Sequence, residues 1–363
     1  MSQHDMSIAN QGNAALRGDL NNALQALAST SKGNSRPSTA YAGQLWIDDN
    51  TPSSTLWTLF AYDGTDDIEI GQIDITNNVF TPLAKTIFSD GRLTLATGAP
   101  VTTTDQTAKT TLYYTPYRGN RISLYDGSVW RTVAFTELSI AVPATTNTMY
   151  DVFCYSNSGA ATLELLAWTN DTTRATALAY QDGVLVKNGT TTRRYLGSFR
   201  TTGSSGQTED SLAKRYVWNY YNRLDRPMSV VEATDTWNYF TGSFRQANGS
   251  AANQLDMVIG VSEDLVDATA ASLCLNSTST ARPVCSGIGI DSTTVNGATI
   301  KVQGRATNTV EAMLLSEYRG YPGIGRHFLA WLEFGAGTDT QTWYGDAGVA
   351  TSIQCGITGI VRG

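Results

Sequence analysis

Apolar side chains recur at helical spacing in one stretch near the start of the chain, residues 14–27. A helix through this stretch places four leucines on one narrow face: Leu16, Leu20, Leu24 and Leu27. Polar residues such as Arg17 and Asp19 take the other side. A helix this short is marginal in water without a packing surface, and Gly18 costs about 1 kcal/mol relative to alanine. We therefore predict a helix whose leucine face docks on another surface.

The pattern changes after this helix. Residues 29–39 are polar, with Gly33 as the predicted helix stop and Pro37 unable to continue a helix, so we interpret them as a hinge. From Leu45 onward apolar and polar residues alternate, which predicts strands. One of these strands ends at Asp63-Gly64, a dipeptide that favours a two-residue type I′ hairpin turn.

Short apolar runs then continue at intervals of roughly ten residues, a spacing typical of a β-sandwich or barrel. The sequence predicts a mainly β protein with an N-terminal anchoring helix and hinge (1–40), a small β domain (41–90), a β-hairpin module (91–142) and a C-terminal β-sandwich or barrel-like domain (143–363).

Three local features refine this picture. The tripeptide Tyr-Asp-Gly occurs at Tyr62 and again at Tyr125, each time after an apolar run, which indicates a recurrent hairpin. Residues 212–224 fit either a helix or a strand, and their aromatic density favours a strand. Residues 261–271 fit a short helix or a loop.

Composition excludes some classes of partner. The 363 residues suffice for two or three domains, and the net charge of −7 argues against a protein that binds a nucleic-acid backbone. The first residues lack the basic and apolar regions of a secretory signal, and no run of about 18 apolar residues follows. We therefore expect synthesis in the cytoplasm and no membrane insertion.

Residues with metal-binding or catalytic chemistry are scattered. The cysteines, Cys154, Cys274, Cys285 and Cys355, form no ligand-spaced pair, so we predict buried free thiols and no metal or cofactor, with a Cys274–Cys285 bridge left open. His327 lies in a strand pattern, which favours a packed histidine. The spacing of the acidic residues selects no catalytic pair, and we predict no catalytic residue among them. The acidic residues considered are Glu137, Glu164, Glu209, Asp210, Glu232, Asp235, Glu311, Glu317 and Glu333.

The head of the chain resembles the N-terminal region of tailed-bacteriophage fibre proteins. The residues that carry this resemblance are Leu16, Arg17, Asp19, Leu20, Asn21, Ala23, Leu24, Ala26, Leu27, Tyr41, Leu45, Trp46 and Asp48. Residues 91–127 are similar to a module common in phage virion proteins. Together these parts cover about the first 140 residues. No repetitive shaft is visible, so the resemblance implies a short fibre or an adaptor-like spike.

The resemblance implies a virion protein, usually a homotrimer, whose head attaches to other virion proteins of the tail or capsid. The anchoring residues would be Leu16, Arg17, Asp19, Leu20, Leu24 and Leu27. The β-rich remainder would face the host surface, where a glycan is a possible partner. Tyr318, Tyr321 and Tyr344 lie near glycine-rich turns and are the predicted host-binding residues. A capsid-decorating or adaptor protein without a receptor and a polysaccharide-degrading spike are the alternatives.

Overall fold

The computed structural model describes residues 3–4, 7–8, 10–83 and 87–363. The chain divides into two compact units, the first Met1–Ile87 with Trp130–Thr132 and the second Phe88–Val129 with Val133–Gly363. It is a mainly β protein with one α-helix among the residues that the structure describes, as the sequence predicts.

The elements follow in chain order. The first are α1 (Asn13–Ala28), β1 (Leu45–Ser53), β2 (Leu56–Tyr62), β3 (Asp67–Asp74), β4 (Val79–Pro82), β5 (Gly91–Thr94), β6 (Gln106–Lys109), β7 (Thr111–Pro116), β8 (Arg121–Tyr125), β9 (Trp130–Ala134) and β10 (Leu138–Ala141). Next come β11 (Met149–Asn157), β12 (Ala160–Ala167), β13 (Leu178–Gln181), β14 (Val184–Lys187), β15 (Thr190–Arg200), β16 (Thr208–Asp210), β17 (Lys214–Arg215), β18 (Val217–Asn219), β19 (Asp225–Val231), β20 (Thr236–Asn238) and β21 (Phe244–Gln246). A short 3-10 turn (Ala247–Gly249) precedes β22 (Gln254–Ile259), β23 (Val266–Asn276), β24 (Arg282–Ile290), β25 (Ile300–Lys301), β26 (Gln303–Ala306), β27 (Ala312–Gly320), β28 (Gly325–Phe334), β29 (Gln341–Tyr344) and β30 (Gly356–Arg362).

The first unit contains a four-stranded antiparallel sheet in the order β1-β2-β3-β4. Trp46 of β1 stacks on Phe60 of β2 with ring centroids 4.9 Å apart. The Trp46 Nε1–H also donates a hydrogen bond to Asp67 Oδ1 at 2.9 Å. Aromatic stacking and a satisfied indole N–H together fix the register of the first two strands and the start of β3.

The turn between β2 and β3 differs from the predicted two-residue turn. Tyr62 pairs with Asp67, so the loop has four residues, and Asp63 N donates to Asp66 O at 3.1 Å. Asp63 Oδ1 accepts the backbone N–H groups of Thr65 and Asp66, both at 2.7 Å. The aspartate side chain caps the loop from inside, which a two-residue turn would not allow.

The second Tyr-Asp-Gly tripeptide forms the same kind of turn, with the aspartate side chain accepting backbone N–H groups. Asp126 Oδ1 accepts the N–H groups of Ser128 and Val129 at 2.8 and 2.9 Å. Gly64 and Gly127 both have a φ of 108°, which lies in the left-handed region that favours glycine. The recurrent hairpin predicted from the two tripeptides is therefore confirmed.

The C-terminal part of the second unit is a β-sandwich. One sheet has the order β26-β24-β28-β22-β17-β16-β6, with β21 beside β28, and the other has the order β19-β30-β23-β27-β25, with β29 beside β23. Their facing sides form one core, which includes Leu255, Met257, Ala268, Ile288, Trp331 and Ile357. Trp331 Nε1–H donates to Ser272 Oγ at 2.7 Å and links the two sheets.

Phe88–Val129 and Val133–Gly363 form one compact unit, so the boundary expected at residue 142 does not separate two units. Asn219 pairs with the backbone of Leu93 through both of its side-chain atoms, at 2.6 and 3.1 Å. Arg92 donates to Asn222 O and, at 3.0 Å, to Gly363 O. These buried polar bonds tie the predicted hairpin module to the end of the chain.

Two ambiguous segments are resolved. Residues 212–224 contain β17 and β18, so the strand interpretation is confirmed, and Trp218 of β18 is buried. Residues 261–265 form a loop and residues 266–271 are the first part of β23, so neither the helix nor the loop expected for the whole of 261–271 is correct. Burial alternates along β23, and the small residues Ala268 and Ala270 fall on its buried side.

Candidate attachment surface

The leucine face of α1, defined by Leu16, Leu20, Leu24 and Leu27, lies in solvent. These side chains are 37%, 48%, 54% and 61% exposed. The buried residues of the helix are instead Ala23 and Ala26. Neighbouring exposed apolar side chains on one element are a sign of an interaction site. Within the described chain, the helix therefore packs through its small residues and leaves its large apolar residues available.

The buried side of α1 is held by residues from before the helix. Asp19, Ala23 and Ala26 share this side, at spacings of four and three residues. His4 Nε2 lies 2.7 Å from Asp19 Oδ1. Gln3 Nε2 donates to Ser31 O at 3.3 Å. Alanine leaves room for a chain segment to approach the helix, which explains why this side, and not the leucine face, is covered.

A groove opens at the C-terminal end of the leucine face. It has a volume of about 420 Å³ and is lined by Leu27, Thr30, Ser31, Tyr41, Gln44 and Leu45. Tyr41 and Leu45 are exposed, as is Leu27. The apolar surface of the helix therefore continues through Leu27 onto the start of β1. We call the leucine face together with this groove the head surface.

The end of α1 matches the predicted stretch 14–27 to within one residue, but the residue that stops the helix is not the predicted Gly33. The helix ends at Ala28, and Thr30 and Ser31 have φ values of 52° and 49°. Ser31 N donates to Ala26 O at 2.6 Å, which caps the last turn without a glycine. Gly33, the predicted stop, lies outside the helix.

The segment interpreted as a hinge is bonded to the sheet of the first unit. Gly33 N donates to Ile47 O at 2.9 Å, and Asp49 N donates to Gly33 O at 3.0 Å. Lys32 Nζ lies 4.5 Å from the centre of the Trp57 ring. This cation–π contact and the two backbone bonds connect the segment predicted as a hinge to the sheet.

Two charged residues were also predicted to anchor the head. Arg17 is exposed on α1, close to the leucine face. Asp19 is half-buried and also receives a hydrogen bond from Gln11 Nε2 at 3.1 Å. Of the two, Arg17 is the one presented to solvent, whereas Asp19 serves the contact between α1 and the preceding residues.

The three predicted host-binding tyrosines do not form one surface. Tyr318 is only 9% exposed and belongs to the sandwich core, because it falls on the inward positions of β27. Tyr344 follows the buried Trp343 in β29 and faces the opposite side of the sheet. Tyr321 is exposed in the loop between β27 and β28. Burial removes Tyr318 from the predicted host-binding residues, because proximity to a glycine-rich turn does not decide which way a strand residue points.

The structure adds an apolar surface that the sequence analysis missed. Met313 and Leu315 of β27 are exposed and alternate with buried residues, so they lie on the outer side of the sandwich. The alternation along β27 was the available signal for this surface. In a sequence, however, an outward-facing methionine or leucine cannot be distinguished from a core residue.

Most of the acidic residues considered for catalysis are bonded within the chain. Glu164 pairs with Lys187 and Arg193, and Glu137 Oε2 accepts from Thr115 at 2.6 Å. Further bonded carboxyls are those of Glu209, Asp210, Glu232 and Glu333. These side chains have structural partners, which is the simplest account of their positions.

His327 is a packed residue, as predicted. Its Nδ1 lies 2.8 Å from Asp291 Oδ2 and its side chain is buried. Although burial acts to raise the pKa of Asp291, the hydrogen bonds from His327 and the Phe328 amide lower it. His327 lies near the start of β28 and Asp291 directly follows β24, so their contact connects these two strand ends.

The cysteines are free thiols, as predicted, and three of the four are buried. Burial raises the pKa of Cys154 to about 12, which makes this thiol unreactive. Within the described ranges, no group of three or more His, Cys, Asp or Glu side chains could hold a metal ion. No helix in the part of the chain that the structure covers is long and apolar enough to cross a membrane.

Comparisons with known proteins identify no family. No family model matches the chain, and no curated protein matches it. An arabinoxylan arabinofuranohydrolase of glycoside hydrolase family 43 from Bacillus subtilis is 10% identical with a TM-score of 0.19, over 83% of this chain and 65% of that one. An exo-beta-1,3-galactanase from Phanerochaete chrysosporium is 10% identical with a TM-score of 0.16, over 83% and 81%. A structure of infectious bursal disease virus, Gx strain, is 10% identical with a TM-score of 0.20, over 72% and 76%. At these TM-scores the likenesses carry no argument about fold family or activity.

Proposed function

We propose that this chain is a structural, non-enzymatic fibre component of a bacteriophage virion. In this proposal the head surface attaches it to other virion proteins, and the β-sandwich faces the host. The resemblance of the head to phage fibre proteins supports the assignment to a virion. The observation that carries the attachment is the exposure of all four leucines on a helix that packs through its alanines.

The leucine spacing also supports association of several copies. Successive leucines are separated by four, four and three residues, which is the spacing of an 11-residue repeat. Such a repeat keeps one apolar seam on helices that lie side by side in a right-handed supercoil. We propose a homotrimer in which the α1 helices contact each other and the rest of the head surface meets the particle.

The oligomeric state is directly measurable. Sedimentation equilibrium of the purified chain should give a mass about three times 39.1 kDa. Leu20→Glu combined with Leu24→Glu should shift the mass towards the monomer, because it buries charge in the seam. The matched control, Asn21→Glu with Gln25→Glu, adds the same charge on exposed positions of the helix away from the seam. A wild-type chain that sediments as a monomer would rule out the trimer.

The host-facing role needs a separate test. Purified chain should compete with intact phage for adsorption to host cells, and several copies per particle would strengthen binding through effective concentration. Antibodies against the sandwich should label purified particles and reduce adsorption. Labelled particles whose adsorption is unchanged by antibody or competitor would favour a decorating or adaptor protein without a receptor. Unlabelled particles would refute the assignment to the virion.

A further inference from the structure

The second unit contains a cavity that none of the residues predicted for function lines. It has a volume of about 350 Å³, within the range of small-ligand sites. Tyr180 and Leu185 pair across the β13–β14 hairpin and form one side. Val261, after β22, and Ile324, before β28, form the other. Apart from the Tyr180 hydroxyl and one arginine, these lining side chains are apolar.

The arginine of this cavity, Arg174, is held rigidly. Its side chain is 9% exposed, and its Nε–H donates to Asp151 Oδ2 at 2.8 Å. Its Nη2–H groups donate to Gly260 O at 2.6 Å and to Tyr195 Oη at 3.3 Å. The guanidinium also lies 4.4 Å from the centre of the Trp168 ring. Its orientation is therefore fixed before any ligand arrives.

Gly260 is the position that permits this arrangement. A Cβ at residue 260 would lie 2.2 Å from Tyr195 Oη and 2.4 Å from a ring carbon of Trp218. Only glycine lets the backbone approach closely enough for its carbonyl to accept from Arg174. In the sequence, Gly260 is one of 33 glycines, and no motif distinguishes it from the others.

One nitrogen of the guanidinium is left for a ligand. The bonds of Arg174 to residues that the structure describes use Nε and Nη2, and the side chain lines the cavity. We therefore take Nη1 as the donor presented to the cavity. The bond from Nη2 to a neutral carbonyl shows that this guanidinium already binds uncharged acceptors as well as a carboxylate.

The local charge favours a neutral acceptor. Asp151 is buried, and both of its oxygens accept hydrogen bonds, from Arg174 and, at 2.7 Å, from Ser198 Oγ. This carboxylate balances the arginine charge, so an incoming anion would gain little and would lose its hydration. Aliphatic walls penalise a hydroxyl group that has no hydrogen-bond partner. A methyl group beside a single carbonyl avoids both costs.

We propose that this cavity binds the N-acetyl group of an acetamido sugar, with the methyl group among Leu185, Val261 and Ile324 and the carbonyl accepting from Arg174. Tyr180 is exposed at the rim, where its flat ring can pack against the sugar ring. This inference deepens the proposed host-surface role and depends on it for the biological source of the sugar. Binding of the free sugar is a property of the purified chain alone.

Saturation-transfer NMR on the purified full-length chain tests the proposal. N-acetylglucosamine and N-acetylgalactosamine should bind with millimolar affinity and show their strongest saturation at the acetyl methyl protons. Glucose, galactose and glucuronate should bind at least tenfold more weakly. Glucose binding as tightly as its acetamido analogue, tighter binding of glucuronate, or no binding of either acetamido sugar would overturn the proposal.

Two variants and two controls locate the site. Ala177→Trp fills the cavity from an exposed position and should reduce binding at least tenfold. Tyr180→Ala should weaken binding several-fold without touching a buried residue. Val295→Trp and Phe240→Ala, at exposed positions that do not line the cavity, should leave binding unchanged. Unchanged binding in both cavity variants, each folded by circular dichroism, would contradict the assignment. Failure of sugar binding with normal antibody labelling of particles would leave the virion role standing.

Discussion

Glu333 is a residue at which burial and charge oppose each other. It is fully buried in β28 and accepts from Trp237 Nε1 at 2.6 Å and from Arg245 Nε at 2.7 Å. Burial raises its pKa to about 7, although the hydrogen bonds from Trp237 and Arg245 act to lower it. Arg245 is itself partly in solvent, so its charge compensates incompletely.

This pKa sets the sign of a pH dependence. A carboxyl whose pKa is higher in the folded than in the unfolded state holds more protons when folded, so its contribution to stability is present below about 4.5 and is lost as pH rises through about 7. Glu333→Gln cannot ionise. The unfolding free energy of this variant relative to wild type should therefore rise between pH 4.5 and 8, by up to ~3 kcal/mol.

Denaturant unfolding of both proteins across this pH range measures the difference. Glu311→Gln, at an exposed carboxyl, gives the baseline for removal of a charge at the surface. A difference between wild type and Glu333→Gln that is flat from pH 4.5 to 8, or that falls as pH rises, would show that the buried carboxyl does not titrate as described.

Gly197 is a second residue with a sharply defined role. A Cβ there would lie 2.1 Å from Trp218 O and 2.9 Å from a methyl carbon of Leu93. We expect Gly197→Ala to lower the unfolding free energy by about 1–3 kcal/mol, because neither the β18 backbone nor the core can move away freely. Gly203→Ala is the matched control, since its nearest neighbour would be 3.9 Å away. Equal melting temperatures for the two variants would contradict this packing.

Individual side-chain directions were the least predictable property at this scale. The sequence places Tyr318 and Tyr344 near glycine-rich turns, but the strand register decides that one is buried and the other faces outward. Arg174 had no sequence signal at all. Its role depends on Asp151, Tyr195 and Gly260, which are brought together only by the tertiary fold.

Among the elements, α1 was predicted well in position and type, because periodic leucines report a helix directly. Which side it packs against the chain could not be read from the same pattern, since the larger apolar residues are the exposed ones. The alanines carry the intramolecular contact because a neighbouring segment fits only over small side chains.

The packing of α1 can be tested by exchanging side-chain sizes. Ala26 is fully buried, so Ala26→Leu should destabilise the first unit by about 1–3 kcal/mol through overpacking. Leu27→Ala removes a larger side chain from an exposed position and should change stability by less than about 0.5 kcal/mol in the dissociated chain. Hydrogen exchange of the α1 amides under dilute conditions reports both. A greater loss of amide protection in Leu27→Ala than in Ala26→Leu would contradict this assignment of the buried and exposed sides of α1.

The polar segment after α1 shows why low hydrophobicity is a poor guide to mobility. Its composition indicates a hinge, yet Arg36 lies 4.1 Å from the centre of the Tyr62 ring and donates to Asp67. Cationic side chains can pack through their flat or aliphatic parts while their charge stays near water. The mainly β class, by contrast, followed from the alternation.

At the scale of the whole molecule, the mainly β class was predictable because turn signals recur throughout the chain. The division into units was not, since it depends on buried polar bonds such as those of Arg92 and Asn219, which join residues more than a hundred positions apart. Such pairs leave no local pattern. The proposed division of labour places particle attachment in the first unit and ligand binding in the second.

Attachment to the particle by a head surface whose leucine face joins the copies is the central claim, and the amount of this protein on assembled particles tests it most directly. Particles are produced with wild-type chain, with Leu20→Glu/Leu24→Glu, or with the control Asn21→Glu/Gln25→Glu, and the copy number per particle is measured by quantitative mass spectrometry. We predict at least a tenfold loss of the leucine variant and normal incorporation of the control. Normal copy number of a folded leucine variant would contradict the account.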